Sequence, residues 1–284
     1  MRTTTGRGRT ALAGFLLVTF ALAACETDDG PIATAPDIEA CLDDEVPLPR
    51  VMRSCQGVLD SETVSVAERA TALTRIGYGH LSQGENREAQ AAFQKALDQM
   101  PSLAGAHLGL GWANLRLRDL EAARLAFDTA LSLDPNLYSA NEGRGIVHLV
   151  NQDFASAIAD FDRVLAASPR SARALRNRGD AHFALGQHRQ ALADYDAVIA
   201  MVEVAQPELF LARSRTLVAM GRQSDPVADW AAALNANGPE QIGAWQKRMQ
   251  GHGLYAGPVD GEPSPATRNA LAACIGDKAC RRVN

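Results

Sequence analysis

Aromatic, small and proline residues recur through the middle of the chain at one interval of 34 residues. The aromatic positions are Phe93, Phe127, Phe161 and Tyr195. The small positions are Gly77, Gly111, Gly145 and Gly179, and then Ala89, Ala123, Ala157 and Ala191. Pro101, Pro135 and Pro169 keep the same interval. Because four residue classes share one period, the sequence indicates an internal structural repeat.

Each unit has the pattern of two helices joined by a turn. Glycine and alanine let the two helices approach closely, and the aromatic ring fills the gap to the next unit. Proline cannot continue a helix and marks the end of a unit, while Gly84 and Gly186 lie at the turn, where glycine adopts a left-handed backbone easily. The pattern predicts an all-α fold. Its units are 70–103, 104–137, 138–171, 172–206 and a degenerate fifth unit, which ends at residue 238.

This pattern resembles the tetratricopeptide repeat. The glycines match the small residue at position 8 of that repeat, the alanines position 20, the aromatic residues position 24 and the prolines position 32. The resemblance implies a right-handed superhelix in which the first helix of each unit lines a concave groove. It also implies that the groove binds a protein partner.

Groove positions taken from that family select mostly apolar residues in the middle units and arginines towards the end. The predicted partner-binding residues are Tyr78, Leu108, Trp112, Leu115, Arg116, Ile146, Leu149, Arg173, Arg176 and Phe183. An exposed apolar stripe of this size favours a docking site for an amphipathic helix or extended peptide, with Trp112 as its anchor. The alternative is that part of the stripe belongs to the core.

The chain opens with Arg2, Arg7 and Arg9, followed by an apolar run at 11–22. Twelve residues are too few for a permanent transmembrane helix, which needs about 20. The run ends in Leu22-Ala23-Ala24-Cys25, which resembles the lipobox of bacterial lipoproteins. The resemblance implies a signal peptide over 1–24 and a lipid on Cys25 that anchors the protein in a membrane, facing the periplasm. The alternative is an ordinary secretory leader with an incidental cysteine.

Glu26 follows the lipidated cysteine and differs from the inner-membrane retention signal of enterobacteria, so the outer membrane is the favoured location. Residues 25–46 are rich in Asp, Pro, Ala and Thr without periodicity, which predicts a flexible tether. Residues 47–69 include apolar positions at helical spacing and predict a helix that caps the first repeat.

Four further cysteines, Cys41, Cys55, Cys274 and Cys280, allow three disulfide connectivities in an exported protein. We prefer Cys41–Cys55 and Cys274–Cys280, because each pair is local. A metal site is the rival interpretation, but the spacings are not CxxC and no histidine lies near either pair. We expect no metal and no cofactor.

After Gly238 the period is lost. Residues 239–284 resemble a small helical peptidoglycan-binding domain through Gly253-Leu254-Tyr255, Gly257-Pro258-Val259-Asp260-Gly261 and Pro265-Ala266-Thr267-Arg268. The resemblance implies peptidoglycan as a ligand, with Tyr255, Asp260 and Arg268 as candidate contacts. The alternative is that this Gly/Asp-rich loop only forms turns and that the domain is a structural cap.

The remaining composition removes other classes of function. The net charge is −5, and no basic stripe typical of nucleic-acid binding is visible. No hydrolase, phosphate-loop or dinucleotide motif is present, so we expect no enzyme. His80, His148 and His182 share one repeat position and are expected in the core, whereas Asp160, Asp162, Asp194 and Asp196 are expected on solvated faces. A lipid-anchored scaffold is therefore the favoured function, and a pilotin-like lipoprotein of secretion or pilus assembly is the alternative.

Overall fold

The computed structural model describes residues 35–42, 48–201, 207–221, 226–262, 264–267 and 269–270. These residues form helices and turns, with no strand among them. The helices are α1 (Ala35–Leu42), α2 (Leu48–Asp60), α3 (Val66–Gln83), α4 (Asn86–Gln99), α5 (Ala104–Arg116), α6 (Leu120–Leu133), α7 (Tyr138–Val150), α8 (Phe154–Ala167), α9 (Ala172–Ala184), α10 (His188–Ile199), α11 (Pro207–Ala219) and α12 (Pro226–Gly251).

The predicted two-helix units are present, from α3 with α4 to α11 with α12. Each aromatic of the 34-residue series is buried at the centre of its unit, and the alanines of the series are buried beside it. The glycines of the series lie against these rings, so that helices pack closely around each ring. The predicted all-α fold is confirmed.

The turn between the two helices of a unit uses a left-handed residue at the same repeat position each time. Gly84 and Gly186 have positive φ there, as expected, and so do Arg118 and Gln152 in the two units between them. A residue with a Cβ pays a strain cost in this conformation. The repeat therefore imposes its turn geometry even where the sequence lacks glycine.

Two boundaries at the start of the chain differ from expectation. Residues 35–42 of the predicted tether form α1, which packs on α2 and α3, because Cys41 is buried and bonded to Cys55 in a disulfide. The predicted capping helix 47–69 is shorter than expected, since α2 ends at Asp60. Further on, the Ser65 hydroxyl accepts from the Glu68 backbone N–H, and the Glu68 carboxylate accepts from the Ser65 backbone N–H. This capping box starts α3 at Val66, four residues before the predicted repeat.

The last long helix contains a break. At Gly238 the backbone leaves the helical region, with φ 72° and ψ 169°, and Pro239 follows. The break falls at the point where the 34-residue period ends. The chain after it folds back on itself as a separate small cluster around Met249, Tyr255 and Ala270.

Asp160 and Asp194 are not on solvated faces, which corrects the expectation. Both are buried, and each accepts two hydrogen bonds from an arginine of the preceding helix, Arg144 and Arg178 respectively. Each of these arginines also donates to the previous unit, at Asp128 (2.7 Å) and Asp162 (2.6 Å).

A third contact continues the series, where Arg213 Nη1 lies 3.2 Å from Asp196. Arginines of the first helix in three successive units thus bind an aspartate of the unit before. We call this set the ion-pair ladder. Because it runs between units, it holds the units in a fixed relation.

Replacing Arg144 by alanine should lower the free energy of unfolding by roughly 3 kcal/mol, because the buried Asp160 carboxylate loses its bidentate partner. Arg163→Ala is the matched control, since Arg163 is exposed and its Nη1 lies at the longer distance of 3.4 Å from the same carboxylate. That change should cost less than about 1 kcal/mol. Urea titration of both variants measures the difference, and equal losses would contradict a structural role for the ladder.

Candidate functional site

The first helices of the units line one surface. Besides packing on their partner helices, α3, α5, α7, α9 and α11 each contact the next helix in this series. Helices α4, α6, α8 and α10 pack between consecutive members of the series from outside. We call the side of the superhelix formed by α3, α5, α7, α9 and α11 the groove.

The apolar stripe predicted for the groove is half-buried. Every member packs with one side against a core cluster and leaves part of its surface accessible; the members are Leu108, Trp112, Leu115, Ile146, Leu149 and Phe183. The two interpretations of the stripe, docking surface and core, therefore each describe one side of these residues. The stripe is less exposed than predicted from the sequence, because neighbouring helices of the groove are in contact.

Trp112 contacts residues of its own unit and of the next two units. Its ring meets Phe127 edge-on with centroids 5.6 Å apart, and its indole N–H donates to the Ser139 hydroxyl at 3.3 Å. The Arg173 guanidinium lies 6.0 Å from the ring centroid, within the range of a cation–π contact. The Trp112 ring thus lies at the groove with the positively charged Arg173 guanidinium over its face.

Tyr78 and Arg116, both predicted groove residues, tie the first two units together. The Tyr78 ring meets Phe93 edge-on at 5.1 Å, and its hydroxyl donates to the Gly105 carbonyl at 2.8 Å. Burial raises the pKa of Tyr78 to about 12, so the hydroxyl stays a donor. Arg116 donates to the Leu81 carbonyl near the end of α3. Both side chains therefore contribute contacts between the two units, and Arg116 remains exposed.

Charged side chains gather at the α9 and α11 end of the groove. Arg173 Nε lies 3.0 Å from Glu142 Oε1, and the arginine side chain is 69% exposed. The Arg215 guanidinium lies 5.3 Å from the centre of the Phe183 ring.

Asp180 lies at the same end and accepts from the Tyr195 hydroxyl at 2.7 Å. Burial against the packed helices raises the pKa of Asp180, and the Tyr195 hydrogen bond and the charges of Arg176 and Arg215 counteract this. Tyr195 stands where the three preceding units have phenylalanine, so among these four positions its hydroxyl is found only at this end of the groove.

The histidines of the repeat are not core residues, which corrects the expectation. His80, His148 and His182 are half-buried. The rings of His80 and His182 lie 2.6 Å from Glu85 and Gln187, five residues further on, and His148 lies 3.4 Å from Asp153. The histidine at this repeat position therefore links the first helix of its unit to the turn that precedes the second helix. Across the described residues, no group of three metal-binding side chains is present.

Tyr255 and Asp260, two candidate peptidoglycan contacts, have structural partners. Tyr255 is buried and donates to the Pro258 carbonyl at 2.7 Å. The Asp260 carboxylate accepts from the Glu262 backbone N–H at 2.9 Å and from the Gln246 amide at 3.0 Å, and these bonds lower its pKa. Tyr255 therefore cannot serve as an exposed contact in this conformation, which corrects the expectation for that residue.

Gln246, which was not predicted from the sequence, forms hydrogen bonds with several groups of the loop that contains Asp260. It is fully buried, its carbonyl oxygen accepts from the backbone N–H groups of Asp260 and Gly261, and its amide lies within 3.1 Å of Thr267. A buried amide with satisfied partners fixes a loop in one geometry. Of the remaining predictions, Cys25, Arg268, Cys274 and Cys280 lie outside the described residues.

In the part of the chain that the structure describes, no helix has the length and apolar character needed to cross a membrane. Residues 74–137 and 143–206 match the tetratricopeptide repeat family. With the two-helix units and the buried aromatic series, this match defines the class: the middle of the chain is a tetratricopeptide-repeat superhelix, a fold that acts as a protein-interaction scaffold.

Solved structures of the same architecture are similar over most of their length. A tetratricopeptide repeat protein from Parabacteroides merdae is 18% identical, with 81% of this chain and 88% of that one covered and a TM-score of 0.57. MamA from Desulfovibrio magneticus RS-1, residues 41 to the end, is 19% identical over 61% of this chain and 97% of that one, with a TM-score of 0.56.

PilW, described as a widely conserved type IV pilus biogenesis factor, is 26% identical. The alignment covers 67% of this chain and 86% of that one, with a TM-score of 0.57. No curated protein matches the chain. Because 219 chains of solved structure match, likeness to one of them does not specify a function.

Proposed function

We propose that this protein is a lipid-anchored scaffold of the bacterial envelope that binds a protein partner in its groove. The observation that carries the proposal is the half-buried stripe around Trp112. Apolar side chains that are packed on one side and accessible on the other form a preorganised surface, which a partner covers at little cost in conformational entropy. Tryptophan is enriched among the residues that dominate such interfaces.

The proposed anchor is a lipid on Cys25. It is supported by the positive segment, the short apolar run and the four-residue box that come before Glu26 in the sequence. A lipoprotein of this kind carries two or three acyl chains, which is enough for stable attachment, whereas a single chain binds only marginally. The anchor would hold the groove on the periplasmic side, with the outer membrane favoured.

A photo-crosslinking amino acid at position 112 should form an adduct with one specific partner in cells, because this position faces the groove. The same group at Leu125, which is exposed on the second helix of its unit, is the matched control and should not form that adduct. Trp112→Ala should remove the partner from a pull-down of the full chain while helical circular dichroism is retained. An unchanged set of partners in a folded Trp112→Ala variant would contradict the proposal.

A second candidate function is a pilotin-like role in secretion or pilus assembly, with the C-terminal module acting only as a cap. The buried Tyr255 and the bonded Asp260 favour a cap, because both side chains are used inside the module. The similarity to PilW, at 26% identity, supports the pilus-related form of this candidate.

The full chain in detergent should stay in the supernatant when it is mixed with purified sacculi, if the C-terminal module is a cap. Arg268→Ala, which changes the remaining candidate contact, should then behave identically. Sedimentation of the unmodified chain that Arg268→Ala abolishes would contradict the cap and establish peptidoglycan as a ligand. Either result leaves the groove proposal intact.

A further inference from the structure

Among the side chains in mutual contact at one end of the groove, arginines outnumber carboxylates, whereas the chain as a whole is acidic. The chain has a formal net charge of −5, with 33 acidic against 28 basic residues. At the α9 and α11 end of the groove, three arginines, Arg173, Arg176 and Arg215, stand against two carboxylates, Glu142 and Asp180. A positive site in an acidic protein selects the charge of whatever enters it.

Two of these arginines lie beside the aromatic residues of the stripe. Arg173 of α9 reaches past α7 to Trp112 of α5, and Arg215 of α11 lies over Phe183 of α9. A guanidinium that stacks on a ring with its face still has its edge N–H groups available for a carboxylate. Arg173 is well placed for this, because most of its side chain is exposed.

The two acidic groups at this end are already engaged. Glu142 lies beside Arg173, and its side chain is only 15% exposed. Asp180 is exposed, and its carboxylate accepts from the Tyr195 hydroxyl at 2.7 Å. A ligand therefore meets accessible arginine side chains, while both carboxylates already have partners.

We propose that the groove binds an acidic amphipathic protein segment. Its carboxylates would meet Arg173, Arg176 and Arg215, and its apolar side chains would cover Trp112 and Phe183. This inference rests on the proposed function and names the chemistry of the partner. A basic segment would be repelled, and a purely apolar one would desolvate the guanidinium groups without offering them carboxylates.

An anionic membrane surface shares the negative charge of such a segment but fits less well. The aromatic residues of the groove are half-buried between helices rather than raised above the surface. A peptide can follow an inner surface of this kind, as helices do in grooves, whereas a bilayer presents a flat face. Binding to anionic vesicles that depends on these arginines would therefore contradict the proposal.

The test uses the full chain in maltoside detergent and two fluorescein-labelled 16-residue peptides. Both have leucine at helical spacing, and the other positions are glutamate in one peptide and lysine in the other. In fluorescence anisotropy at low salt, the glutamate peptide should bind about tenfold more tightly. The difference should shrink as salt rises, because exposed charges are screened.

Charge variants locate the effect. Arg173→Glu and Arg215→Glu should each weaken binding of the glutamate peptide about fivefold, since attraction becomes repulsion. Asp180→Asn should strengthen it, because the amide oxygen still accepts from Tyr195 while the negative charge is gone. Arg189→Glu, an exposed position on α10 outside the groove, is the matched control and should leave the affinity unchanged.

Three outcomes would overturn the inference. The first is equal affinity for both peptides, and the second is an equal effect of Arg189→Glu and Arg215→Glu on binding of the glutamate peptide. The third is that the arginine variants lose binding to phosphatidylglycerol vesicles but keep binding to the peptide. Each is distinct from failure of the proposed function. A specific adduct at position 112 together with charge-independent binding would retain the scaffold and reject the acidic partner. Loss of that adduct would reject the scaffold.

Discussion

The ring of Phe127 occupies space that a side chain on either of two glycines would need. A Cβ on Gly111, in the same unit, would lie 2.5 Å from this ring, and one on Gly143, in the next unit, would lie 2.3 Å from it. Phe93 has the same relation to Gly77 and Gly109. One buried ring thus sets how closely the first helices of two successive units approach. The curvature of the groove depends on these contacts.

Close approach of the first helices explains the character of the groove. It leaves the apolar stripe packed on one side only, and it lets Arg173 reach Trp112 from two units away. The ion-pair ladder works on the same units, with Arg144 and Arg178 each binding aspartates of two units. A rigid solenoid with an aromatic and cationic inner surface is consistent with a site that recognises a segment of another protein.

The repeat could be predicted well from the sequence, because four classes of residue recur at the same interval of 34 residues. Side-chain partners could be predicted less well. Asp160 and Asp194 look like surface residues on a helix, and only their 34-residue spacing, shared by Arg144 and Arg178, signals a repeated ion pair. That signal was available in the sequence. Gly109 and Gly143 follow the period too, but their role depends on a ring in the preceding unit.

Other features have no periodic signal. Helix α1 is eight residues long, too short for a clear hydrophobic pattern, and it depends on packing and on the bond between Cys41 and Cys55. Gln246 is a single polar residue whose buried amide meets six polar groups on five residues between Tyr255 and Thr267. The consensus position predicts His80 in the core, whereas the residue is half-buried and its contact with Glu85 depends on the turn geometry.

The most direct test of this account is a double-mutant cycle on the ring and the glycine of the next unit. Gly143→Ala should cost about 2 kcal/mol of unfolding free energy, because the new methyl group meets the Phe127 ring. In a Phe127→Leu background the same change should cost at least about 1 kcal/mol less. Gly57→Ala, with no atom within 4 Å of its Cβ, serves as the control and should not destabilise. Additive effects of Gly143→Ala and Phe127→Leu would contradict the claim that this contact sets the spacing of the units.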